Sequence, residues 1–189
     1  MISLERDETI NLTKKFPGLN NIRIGFSWDE FSRAHLINGV CTDADTSIFM
    51  LGENGKIPDE RYFVFYNNLI SADDSVKHNG DDRKGAENDK ESVDISLSKV
   101  SPEIQKILLV ITIHNRDKGF DFENTKNSSI RLYNMDTNEG ICEFQLFEEF
   151  PDSDAIIMGG FYRDGSEWKF EVMVRVFNGG LAGCLDKYI

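Results

Sequence analysis

The feature that most limits what this chain can become is a strict alternation near its end. Trp168, Phe170, Val172, Val174 and Val176 occupy every second position. Successive side chains of a strand point to opposite faces, so all five share one face; a helix would scatter them. Ile22, Ile24, Phe26 and Trp28 repeat the pattern, and Ile10 and Leu12 alternate with polar neighbours. Ile48 to Leu51 and Tyr62 to Tyr66 are more continuous, as expected of central strands covered on both faces. The run Lys106 to His114 is the strongest strand signal, followed by Ile130 to Tyr133, Ile141 to Leu146 and Ala155 to Tyr162.

Turn-forming tetrapeptides separate these runs: E-N-G-K at 53–56, T-N-E-G at 137–140 and R-D-G-S at 163–166. The last lies between two strand runs and predicts a hairpin. Helix signals are few. Ser101-Pro102-Glu103 has the N-cap, first-position proline and first-turn acid of a single turn, and Gly180 to Tyr188 fits a short closing helix. Closely spaced strands with little helix predict one domain over residues 1–189, an all-β, two-sheet antiparallel β-sandwich with a few short helices. Residues 71–94 stand apart as the compositional outlier, poor in apolar side chains.

Composition narrows the function. The chain carries 33 acidic and 21 basic residues, a formal charge of -12. Nucleic acid is excluded as a partner, because phosphate binding needs clustered Lys and Arg. Cys41, Cys142 and Cys184 lie far apart, with neither a CxxC pair nor zinc-type spacing, which fits a reduced cytosolic setting. The first ten residues carry charges where a signal peptide needs an apolar core, and the longest apolar run, Ile107 to Ile111, is too short to span a bilayer. The expectation is a cytoplasmic protein with no direct membrane insertion.

The chemistry-bearing stretch is H-N-G-D-D-R-K-G-A-E-N-D-K-E at 78–91. It offers Asp81, Asp82, Glu87, Asp89 and Glu91 as oxygen donors, and Gly80 and Gly85 let the backbone turn tightly. Ca²⁺ takes about 6–8 oxygen ligands in a flexible shell. A solvated acidic loop has the same composition, so the stretch alone leaves both readings open. Two further segments add hard oxygen donors. Asp43 and Asp45 lie two residues apart just before an apolar run, and Asn67-Asn68 follows another. No sulfur or imidazole cluster competes with them.

The EF-hand pattern fails at Asp43-Asp45 and at Asp81-Asp82, so a bound cation would lie between loops of a β domain. His35, His78 and His114 are isolated in sequence, and His114 fits a hydrogen-bonded structural role. There is no nucleophile elbow, P-loop or dinucleotide fingerprint. Acids crowded into one loop favour holding metal over a tuned acid–base pair.

Ordered motifs make the pattern more specific. The chain opens with S-L, I-N-L-T-K and G-F-S-W-D, continues through D-A-D-T-S-I-F-M-L-G-E-N-G-K (43–56), F-V-F-Y-N-N-L (63–69), S-V-K-H-N-G-D-D-R-K-G (75–85) and I-T-I-H (111–114), and ends with Y-R-D-G-S-E-W-K-F (162–170) and G-G-L (179–181). In this order they resemble the TerD-type tellurite-resistance and stress-protein family over nearly the whole length. The resemblance implies a β-sandwich holding up to two Ca²⁺ between loops. The ligands carried over by motif are Asp43, Asp45, Asn67, Asn68, Asp81, Asp82 and the acidic tail of the loop with Glu87, Asp89 and Glu91. Lys90 stands where the family has an acid, and Asp82 where it more often has Asn. Two bound Ca²⁺ would relieve part of the self-repulsion of the chain. The implied protein is not an enzyme and acts through protein partners, either related family members or a membrane-associated stress complex. The alternatives are a divalent-metal-dependent phosphoester enzyme, with His78 as its base, and a module for a small ligand such as a cyclic nucleotide.

Overall fold

A computed structural model describes residues 1–28, 43–81, 89–114, 122, 125, 127–146, 150 and 152–189. The described chain forms twelve strands and two short helices: β1 (Ile2–Ser3), β2 (Thr9–Asn11), α1 (Leu12–Lys15), β3 (Asn21–Ser27), β4 (Ala44–Leu51), β5 (Phe63–Val64), β6 (Val76–Asp81), β7 (Glu91–Ser96), β8 (Lys106–Ile113), β9 (Ser129–Asn134), β10 (Glu139–Gln145), β11 (Ala155–Asp164), β12 (Glu167–Phe177) and α2 (Gly180–Leu185). They make two six-stranded sheets, ordered β1-β10-β9-β3-β7-β6 and β2-β12-β11-β8-β4-β5. All pairings are antiparallel except β1 with β10. The expected two-sheet β-sandwich is therefore the fold.

The alternating rows act as the sequence indicates. Ile22, Ile24 and Phe26 of β3 and Phe170, Val172 and Val174 of β12 all lie in the core between the sheets. Val176 lies beyond that core, 43% exposed. β8 is apolar at every position after Lys106 except the buried Thr112, because both its faces are covered. Ile107, Leu109 and Ile111 enter the central core, while Leu108 and Val110 face a second cluster outside the second sheet, where α2 packs through Leu181 and Leu185. The hairpin at 163–166 joins β11 to β12 with Asp164 opposite Glu167 and Gly165 at φ 62.

Four expectations change. Tyr62 to Tyr66 is not a central strand: only Phe63–Val64 pairs, at the edge of the second sheet. There Asn68 turns the chain, its Nδ2 donating to the Phe63 carbonyl at 2.7 Å. The row begun by Ile10 stops at Asn11, whose Oδ1 accepts from the Lys14 amide at 2.9 Å and caps a helical turn that buries Leu12. Ser101 to Ile104 closes one hydrogen-bonded turn, with no helix. The outlier at 71–94 contains β6 and β7. These strands look polar in sequence because their inward row carries His78 and Glu91 beside Val76, Val93 and Ile95, all buried.

Candidate metal-binding end of the sandwich

Strand register gathers the acidic segments at one end of the molecule. Phe26 pairs with Glu91, Asp81 with Glu91, and Ala44 with Ile113, so the end of β3, the start of β4, the end of β6, the start of β7 and the end of β8 coincide. Asp43, Asp45, Asp81, Asp89 and Glu91 all belong to this end. Asp82 and Glu87 lie outside the described residues.

A buried knot ties three of the segments together. Glu91 is 3% exposed and faces between the sheets. Its Oε2 accepts from the Thr46 hydroxyl at 2.8 Å and the Thr46 amide at 3.2 Å, and lies 3.3 Å from His78 Nε2. Nε2 is also 3.0 Å from the Thr46 carbonyl, and Nδ1 accepts from the Gly80 amide at 2.9 Å. That amide bond needs a lone pair on Nδ1, so the neutral ring carries its proton on Nε2. Burial disfavours the charged ring, but the Glu91 carboxylate outweighs it and moves the His78 pKa up. The knot depends on a bulge. His78 opposes Val93 but Asp81 opposes Glu91, and the extra residue is accommodated with Gly80 at φ 73, in the left-handed region.

Asp89 goes to the other face of the same sheet. Its Oδ1 accepts from Arg131 Nε at 3.0 Å and also from Nη2, which donates in turn to Ser27 Oγ at 3.1 Å. The carboxylate lies directly over Gly25, where any Cβ would overlap Oδ2 and Cγ. Asp89 Oδ2 is buried with no partner within hydrogen-bonding distance among the described residues, and the Tyr133 hydroxyl is the neighbour of this carboxylate. Burial raises the Asp89 pKa, and Arg131 offsets this only in part. Lys90, between the two acids, holds Nζ 4.6 Å over the Trp28 ring.

Asp45 lies on the outer face of the second sheet, between the inward-facing Ala44 and Thr46. Its Oδ2 is 3.2 Å from His114 Nδ1, and the exposed Asp43 accepts from the His114 amide through its carbonyl at 2.9 Å. Asn67 is exposed. The side-chain amide nitrogen of Asn68 donates to the Phe63 and Arg61 carbonyls, closing a turn whose Leu69 carbonyl accepts from the His78 amide at 2.8 Å.

Among the described residues, no three His, Cys, Asp or Glu side chains converge in a metal-holding group. The described carboxylates at this end, those of Asp43, Asp45 and Asp89, are hard oxygen donors of the class that suits Ca²⁺. These three carboxylates alone do not supply a calcium shell of about 6–8 oxygens. The Glu91 carboxylate already serves the buried knot.

Thr46, Gly25 and Arg131 were not legible as site residues. Thr46 left one trace, a polar residue in the inward row Ala44, Thr46, Ile48, Met50. Arg131 and Gly25 left none, since their link to Asp89 is made only by the folded sheet.

Comparison with known proteins agrees with this architecture. The TerD domain family model matches residues 1–188. The chain is 36% identical over 189 residues to tellurium resistance protein TerD of Serratia marcescens, covering 99% of this chain and 96% of that one. It is 38% identical over 191 residues to general stress protein 16U of Bacillus subtilis, with the same coverages. A solved homologue of telluride resistance protein (TerD) from Streptomyces coelicolor superposes with a TM-score of 0.64 at 18% identity, covering 87% of this chain and 94% of that one. With its sandwich, its ordered motifs and near full-length matches, the chain belongs to the TerD family.

Proposed function

We propose that this protein is a calcium-binding stress-response protein that works through protein partners and not by catalysis. The observation that carries the reading is the gathering of Asp43, Asp45, Asp81 and Asp89 at one end of the sandwich. Up to two Ca²⁺ would be held there by these residues with Asp82 and Glu87. Glu91, His78 and Thr46 form the rigid base beneath. Ion binding then becomes loop-ordering free energy, because an acidic loop repels itself until a cation is present. The ordered end forms a surface for partner proteins, either related family members or a membrane-associated stress complex. Relatives named for tellurium resistance and general stress support the stress context. No helix among the described residues is long and apolar enough to cross a membrane.

The phosphoester-enzyme reading loses its base. His78 is 3% exposed, and both its ring nitrogens are engaged within the protein. The test is thermal unfolding and calorimetry with Ca²⁺. The midpoint should rise through millimolar Ca²⁺, and Asp45→Ala combined with Asp81→Ala should abolish the rise. An unchanged melting curve would sink the reading.

A further inference from the structure

The second sheet holds a cavity at the end away from the acidic segments. Leu51, Lys106 and Tyr162 pair across neighbouring strands there, at the far end from the Ala44–Ile113 pair. The cavity is about 240 Å³, with Gly55 of the 52–57 turn and Tyr188, beyond α2, among its lining residues. At about 30 Å³ per water it takes the volume of roughly eight waters, the size of one small metabolite.

Its origin is local. Gly160 is flanked across the strands by Leu108 and Glu171, and it lacks the outward side chain that would fill the row. Its φ lies outside the left-handed region, so the backbone does not demand glycine there. A Cβ at 160 would come within 2.9 Å of Leu108 Cδ2 and 3.2 Å of the Ile107 carbonyl. Gly160, Leu108 and Met173 make an apolar floor, and Tyr162 and Tyr188 stand at its sides.

Three charges rim this floor: Lys106, Arg175 and Glu171. Several charged side chains elsewhere on the sheets are paired, as in Arg23–Asp94, Arg131–Asp89 and Lys169–Asp164. Here Lys106 and Glu171 have no ion-pair partner among the described residues, and Arg175 has the Tyr188 hydroxyl as its neighbour. Unpaired charges of both signs around an apolar floor suit a ligand that carries both charges on an apolar body. A ligand with only a carboxylate would face Glu171, and one with only an ammonium would face the two cations.

We propose that this cavity binds a small zwitterion with an apolar body, the chemistry of a free aliphatic or aromatic α-amino acid. Its carboxylate meets Lys106 or Arg175, its ammonium meets Glu171, and its side chain lies over Gly160 and Met173. The site is independent of the calcium end, so failure of either reading leaves the other standing.

The probe is L-phenylalanine, titrated into the full chain by NMR, with 3-phenylpropionate and phenethylamine as single-charge analogues. Saturable shifts of the Gly160 amide and the Met173 methyl are expected with L-phenylalanine, and at least about tenfold weaker binding of each analogue, the loss of one charged hydrogen bond. Glu171→Gln should lower L-phenylalanine affinity about tenfold and leave 3-phenylpropionate unchanged or tighter. Lys106→Met with Arg175→Met should weaken both carboxylates. No saturable shift at these atoms, equal affinities for the three probes, or a Glu171→Gln protein that keeps the wild-type preference would each overturn the proposal. If a variant fails to fold, the three-probe series on the wild-type chain still decides.

Discussion

Gly25 and Asp89 show how one backbone position sets the fate of a carboxylate. Asp89 can reach Arg131 only because the space above Gly25 is empty. Gly25→Ala must push the carboxylate away from Arg131, leaving both charges poorly paired in a buried place. The expected cost is about 2 kcal/mol or more by urea unfolding. The same substitution in an Asp89→Ala background should cost markedly less, because the overlapping group is gone. Equal costs in the two backgrounds would place the strain elsewhere. The thiols make a second residue-scale case. Burial pushes Cys142 and Cys184 up to about 12, so neither is a thiolate near neutral pH. In a Cys41→Ser protein, neither should react with a thiol reagent at pH 8 until denaturant is added.

At the scale of elements, the bulge in β6 is the decisive irregularity. A regular β6 could not place His78 opposite Val93 and also Asp81 opposite Glu91. Gly80 makes this possible at φ 73, and its amide fixes the His78 ring. Gly80→Ala should therefore cost about 1–2 kcal/mol in folding stability, measured by urea unfolding, since an L side chain in the left-handed region carries that penalty. The sequence shows Gly80 and His78, and it shows an acidic stretch around them. It does not show that two strands run through the stretch. β6 and β7 are hidden because His78 and Glu91 occupy inward positions where strand-reading expects apolar residues. β5 fails in the opposite direction. Its apolar run is longer than its two paired residues, because Asn68 uses its side chain to turn the backbone away from the sheet.

At the scale of the molecule, the sandwich has two unlike regions. One end gathers the acidic segments above a buried polar knot. The outer face of the second sheet, toward the other end, carries a neutral-floored cavity rimmed by charges of both signs. The overall charge of -12 is thus unevenly placed, and a cation at the acidic end would relieve repulsion where it is densest. The rise in melting temperature expected with Ca²⁺ belongs to this scale, because it would report the coupling of ion binding to the whole fold.

Much of this was determined by the sequence alone. A period of two leaves no choice about which side chains of β3 and β12 share a face, and hydrophobic burial then selects the inner one. Any acid of 78–91 that stays unpaired must stay at the surface, since an unpaired carboxylate cannot enter a core. Whether a given acid became a brace or a free donor was decided only by tertiary structure. Glu91 meets Thr46 across 45 positions of chain, and Asp89 meets Arg131 across 42. Contacts that distant exist only once strand register is set. Two acids two residues apart in the same loop tail therefore came to lie on opposite faces of one sheet.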